Sequence, residues 1–159
     1  MTPRSQPNLR VKIMLASLII YAIATAVGLR YASPWLTSGN VAFAASEDKP
    51  FLWRSVAVLG ITAVYGVLSI ALNIAAQFWA VALVGVLGRG VATAATYELS
   101  FMAADILILA LSIWGASKVM KKSLAVKTFA ATISAALLIT VLAIAGQVAF
   151  SVAMFNLVQ

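Results

Sequence analysis

The chain has 159 residues, of which 64% are hydrophobic and 9% charged, with a net charge of +7 and neither cysteine nor histidine. Soluble domains carry about 25% charged residues, so there is too little polar surface here to cover a water-exposed globule. The missing residue types exclude thiol nucleophiles, disulfides, imidazole bases, histidine haem ligands and zinc sites built on Cys or His.

One membrane domain spanning 1–159, with about four helices, suits this length. Eleven basic residues against four acids mark ends and loops that face the cytoplasm or anionic headgroups. Direct nucleic-acid binding is the poorer reading, because the bases are scattered and the aromatics sit near span ends.

In chain order, residues 1–12 form a polar, basic tail carrying Arg4, Arg10 and Lys12. Residues 13–29 are a first apolar segment, just long enough to span, ending at Arg30, Tyr31 and Trp35, types that settle at a membrane interface. Residues 31–54 read as a loop with breakers at Pro34, Gly39-Asn40 and Asp48-Lys49-Pro50. Within it, 45–54 is a linker, and Trp53 and Arg54 mark re-entry into the membrane. Residues 55–159 form the helical core.

The stretch 55–88 is predominantly apolar and would run about 50 Å as one helix, against a hydrocarbon core of about 30 Å. Asn73 and Gln77, four residues apart, share one face of it. No Gly or Pro lies between Ile70 and Trp79, which favours a continuous helix over a hairpin broken at 73–77. Gly85, Gly88, Arg89 and Gly90 read as its C-terminus; no strand precedes them, so a phosphate-binding loop is a poor reading.

Residues 99–117 make a span of ordinary length, with Tyr97 before its start and Trp114 near its end. A basic turn, 118–127, holds Lys118, Lys121, Lys122 and Lys127. The last stretch, 124–157, is again unusually long and dense in small residues. Ala131 and Ala135, then Ala145, Ala149 and Ala153, recur every four positions, a spacing that lets helix backbones approach in lipid.

These elements set a topological conflict. Three spans separate the basic N-terminus from the basic turn, so the positive-inside rule cannot satisfy both. A hairpin within 55–88, a first segment that is a leader or lies on the surface, or a final assembly unlike a simple bilayer protein would each resolve it. The denser lysine turn is expected to win the cytoplasmic side.

Asp105 lies inside a span, with Glu98 and Ser112 seven residues to either side on about one face. An intramembrane acid is costly and suggests a proton relay, an ion site or a partner for lysine. The plainer reading, packing glue that pairs with a neighbouring lysine or a hydroxyl, is preferred because no histidine or second intramembrane carboxylate accompanies it. Asn73, Gln77 and Gln147 read as interhelical hydrogen-bonding groups, or as the lining of a path. Lys118, Lys121, Lys122 and Lys127 read as a headgroup-facing turn, or more sharply as a positive ring facing a polyanion or lipid phosphates. No catalytic, cofactor or metal-ligating set emerges.

The order of an acid within a span, a lysine-rich turn and a long small-residue helix resembles the conjugative pilins of type IV secretion systems. Residues 1–44 also resemble their long leaders, with Ala42-Phe43-Ala44 before Ala45-Ser46-Glu47-Asp48 as a small-x-small cleavage pattern. The resemblance implies subunits packed helically with phospholipid, the four lysines lining a lumen, and nucleic acid met only indirectly through it. An uncleaved four-span subunit of such an apparatus is the other form it suggests.

The expectation is an all-α polytopic membrane protein with helices near 13–29, 55–88, 99–117 and 124–157. It would be a non-enzymatic structural subunit of a homo-oligomer or larger complex, in contact with lipid. Its place would be the bacterial inner membrane, or an extracellular filament if a pilin. The alternatives are a small transporter or ion channel using Asp105, Asn73 and Gln77, and an accessory subunit of a respiratory or photosynthetic complex.

Overall fold

The computed structural model describes residues 6–44 and 50–158. Residues 1–5 of the basic tail, 45–49, which include half of the linker and the residues after the leader-like motif, and 159 lie outside the described residues; the other half of the linker, 50–54, is the start of α3. The elements are α1 (Gln6–Val27), a π turn (Gly28–Ala32), α2 (Ser33–Leu36), β1 (Val41–Phe43), α3 (Pro50–Leu87), α4 (Val91–Val119), β2 (Leu124–Val126) and α5 (Phe129–Val158). Four helical runs are long and apolar enough to cross a membrane: Leu15–Leu36, Phe51–Leu87, Val91–Val119 and Phe129–Ala153. The chain is an all-α, four-span integral membrane protein.

The first span does not stop at residue 29. A π turn, with Ser33 N–H bonded to Gly28 O, continues the helix into α2, whose first turn contains Pro34. Arg30, Tyr31 and Trp35 are therefore helical rather than loop residues. The helix closes at Thr37, whose Oγ1 donates to Ser33 O at 2.7 Å and accepts from Val41 N at 3.0 Å. Ser38 and Gly39 both turn through positive φ, 50° and 74°, to reverse the chain into β1.

The expected helical start at 124 is also corrected. Residues 124–126 form β2, antiparallel to β1 with Val41 opposite Val126 and Phe43 opposite Leu124. Two further backbone bonds, Ala44 N to Ser123 O at 3.0 Å and Lys127 N to Asn40 O at 2.9 Å, extend the ladder. This strap ties the connection after the first span to the connection before the last. It also satisfies peptide groups at a helix-poor end of the molecule. Helix α5 then begins at Phe129, with Thr128 Oγ1 accepting from Ala131 N at 3.3 Å.

Helix α3 is unbroken over 38 residues, because nothing between Ile70 and Trp79 interrupts its ladder. It ends at Leu87, followed by Gly88 at φ +72°. The short turn to α4 makes a long hairpin. Around the bundle α1 packs on α3, α3 on α4, α4 on α5 and α5 on α1, so α1 and α4 are diagonal. The N-terminus of α1 and the C-terminus of α5 lie at the hairpin end; the strap closes the other. With α3 continuous, three spans separate Arg10 and Lys12 from the lysine turn, and the even-count escape from the topological conflict is closed.

Small residues set the inter-helix spacing. Ala131, Ala135, Ala136 and Ala143 of α5 are buried, whereas Ala145, Ala149 and Ala153 face outward. A Cβ on Gly28 would lie 2.7 Å from Ile139 Cγ1, so α5 touches the π turn directly. Gly28→Val is expected to cost about 1–3 kcal/mol through forced separation of these helices, read as a lower unfolding midpoint in detergent. Gly60→Val is the matched control, because the Cβ there first meets the flexible end of Met120, at 2.8 Å from Cε. A larger loss at Gly60 than at Gly28 would contradict this account.

Candidate functional site: a buried aspartate held by two tyrosines

Asp105 stands near the middle of α4, about 20 Å along the axis from either end. It is 9% exposed. Tyr65 of α3 donates its hydroxyl to the carboxylate, 2.8 Å from Oδ1 and 3.0 Å from Oδ2, so one proton is shared between two oxygens. Tyr21 of α1 donates to Oδ2 at 3.2 Å. The two rings lie against each other, with centroids 4.7 Å apart and planes tilted by 31°. Below and around them pack Ala24, Ile61, Leu109 and Ile113.

Each part has a local cause. A carboxylate in an apolar interior is costly unless donors surround it, and a phenol carries its hydroxyl on a large apolar ring that reaches across a helix seam. The rings fill the seam between α1 and α3, and their hydroxyls reach Asp105 across the bundle. Asp105 thereby links α4 to its neighbour α3 and to α1, its diagonal opposite. Among the described residues, all hydrogen bonds to this carboxylate come from tyrosine.

The other polar residues expected to share this site do not. Ser112 is buried but donates to Ile108 O of its own helix at 2.8 Å. Glu98 is exposed, two turns toward the hairpin end, where α4 has left the core. Asn73 is exposed and donates to Ser69 O at 2.8 Å; Gln77 is exposed beside it on the same side of α3. Gln147 is half-buried on α5, which contributes nothing to the clamp. One connection does exist: a cleft of about 610 Å³ between α1 and α3 runs from Asn73 and Ser69 past Tyr65 and Tyr21 to Thr62.

The lysines gather at the strap end. Lys118 places Nζ 4.9 Å above the Trp114 ring, and Lys121, Lys122 and Lys127 are exposed. Among the described residues no group of three or more His, Cys, Asp or Glu side chains could hold a metal ion.

Tyr21 and Tyr65 escaped the sequence reading. A signal was present: Tyr31 and Tyr97 sit near span ends, but these two lie inside apolar stretches, where a phenol needs a partner. No protein-family model matches the chain, and no curated protein or solved structure is significantly similar to it.

Proposed function

We propose that the chain is a non-enzymatic structural subunit of a larger membrane assembly. The more specific reading is a pilus or inner-membrane component of a conjugative type IV secretion system; it rests on the sequence pattern described above. The observation that carries the general reading is the hairpin-end half of α3. At 38 residues α3 is about 57 Å long and would need a tilt near 60° to fit a hydrocarbon core of about 30 Å, beyond the usual limit of about 40°. The excess is nonetheless apolar, and the face turned away from α4 is uncovered by the other helices: Phe78, Val81 and Val86 are 74%, 75% and 82% exposed, whereas Ala76 and Leu83 are buried. Asn73 and Gln77 project from the same half, where an interhelical partner would satisfy them better than lipid. The outward row Ala145, Ala149 and Ala153 offers a second close-packing face. In this reading Asp105 and its tyrosines hold the subunit together rather than move a solute.

The chain's lack of cysteine makes the test direct. Val81→Cys on α3 should give an oxidative cross-link to a second copy or to a neighbouring protein in native membranes. Leu107→Cys, on α4 near the clamp, serves as the comparison site. A monomer of native mass, with Val81→Cys no more reactive than Leu107→Cys, would refute the assembly. The second reading, a transporter or channel, draws on the cleft that reaches Tyr21 and Tyr65 from Asn73. An Asp105→Asn flux measurement separates the two.

A further inference from the structure

Arg54 begins the second turn of α3, and its Nε is buried with no hydrogen-bond partner among the described residues. Its guanidinium carbon lies 5.9 Å from the centre of the Phe43 ring, which β1 holds in place. A guanidinium keeps its charge in an apolar setting, so a buried N–H without an acceptor is costly. Arg30, on the π turn, faces the same region, its guanidinium carbon 5.1 Å from the Tyr31 ring centre.

Arg30, Phe43 and Arg54 are shared by two adjoining cavities. One, about 500 Å³, is walled otherwise by Ala26, Phe51, Val58 and Leu59, with Ser55 as its additional hydroxyl. The other, about 310 Å³, is bounded by the backbone-rich segment of Tyr31, Pro34 and Ala42. Two cations thus stand at the junction of an apolar chamber and a more polar one. Exposed Tyr31, Trp35 and Phe51 set this junction at interfacial depth, where headgroups meet acyl chains.

We propose that this junction is a binding site for an anionic glycerophospholipid, with its phosphate between Arg30 and Arg54 and one acyl chain in the Phe51–Leu59 chamber. Phosphate oxygens supply the acceptor that Arg54 Nε lacks, and a guanidinium fork matches them in geometry. Basic pockets between spans at the headgroup level suit such lipids. A free phosphate would leave the apolar chamber empty, and a zwitterionic lipid would bring a cation against two arginines.

Native mass spectrometry of the full chain in detergent, titrated with phosphatidylglycerol, with phosphatidylcholine of the same chains, or with inorganic phosphate, tests the assignment. The wild type should take one phosphatidylglycerol with at least about tenfold preference over phosphatidylcholine, and inorganic phosphate should not displace it. Arg30→Gln and Arg54→Gln should each weaken binding about tenfold, while Lys121→Gln with Lys122→Gln leaves it unchanged. Should Arg54→Gln not fold, Arg54→Lys and the chamber-filling Ala26→Phe carry the test, each with weaker lipid binding expected. Equal binding of the two lipids overturns the proposal, and is the result expected if Glu47 or Asp48 fills the site instead. Full displacement by inorganic phosphate, or arginine variants that bind as the wild type does, overturns it equally.

Discussion

Asp105→Ala should lower the unfolding free energy by about 2–3 kcal/mol, whereas Asp105→Asn should stay within about 1 kcal/mol of the wild type. Alanine removes three tyrosine–carboxylate contacts, at 2.8, 3.0 and 3.2 Å. It leaves the Tyr65 hydroxyl, on a side chain only 5% exposed, without an acceptor. Asparagine keeps an oxygen for Tyr65 and offers N–H to the Tyr21 oxygen, since a hydroxyl both donates and accepts. It also removes an ionisable group from the bundle centre, which offsets the weaker bonds. Reversible unfolding in mixed micelles measures both variants, and a cycle with Tyr65→Phe isolates the coupling. Asn as damaging as Ala would mean that the negative charge itself matters. If reconstituted vesicles also lost solute flux with Asn, the transporter would replace the scaffold.

Neutralising Lys118, Lys121, Lys122 and Lys127 to glutamine should convert a single membrane orientation into a mixed or reversed one. Among the described residues the strap end carries these four with Arg30 and Arg54, while the hairpin end carries Arg10, Lys12 and Arg89. The balance favours the strap end on the cytoplasmic side until the lysines are lost, when it tips the other way. Single cysteines report this cleanly. In intact cells an impermeant maleimide should label Val91→Cys, 88% exposed at the hairpin, and spare Val119→Cys, 85% exposed at the strap. The quadruple glutamine background should raise labelling at Val119→Cys severalfold. Unchanged labelling would show that charge does not orient this protein.

Long-range hydropathy made the spans legible. Residues 55–88 could be read as one helix because nothing in them interrupts an α-helical ladder, and Gly88 as its stop because a left-handed turn suits glycine. What short segments do could not be read. Val41-Ala42-Phe43 and Leu124-Ala125-Val126 are too brief for alternation to register, and each becomes a strand only because the other lies beside it. Pro34 looked like a breaker but occupies a helical position that tolerates it. The clamp was half legible: Asp105 announced itself as a charge within a span. Its partners did not, because Tyr21 and Tyr65 come from other helices at separations of 84 and 40 positions, where spacing arguments fail.

The pairing of Val41 with Val126 also bears on biogenesis. The second strand leaves the ribosome only after three spans have been synthesised, so the first must wait, unpaired, while α3 and α4 are made. Closure of the ladder then requires that α3 and α4 have both crossed, returning the chain to the side it left after α1. A chain in which only one of α3 and α4 had crossed would present its two strands on opposite faces of the bilayer and could not close. The ribbon therefore forms late, and only on a chain whose middle hairpin has fully crossed.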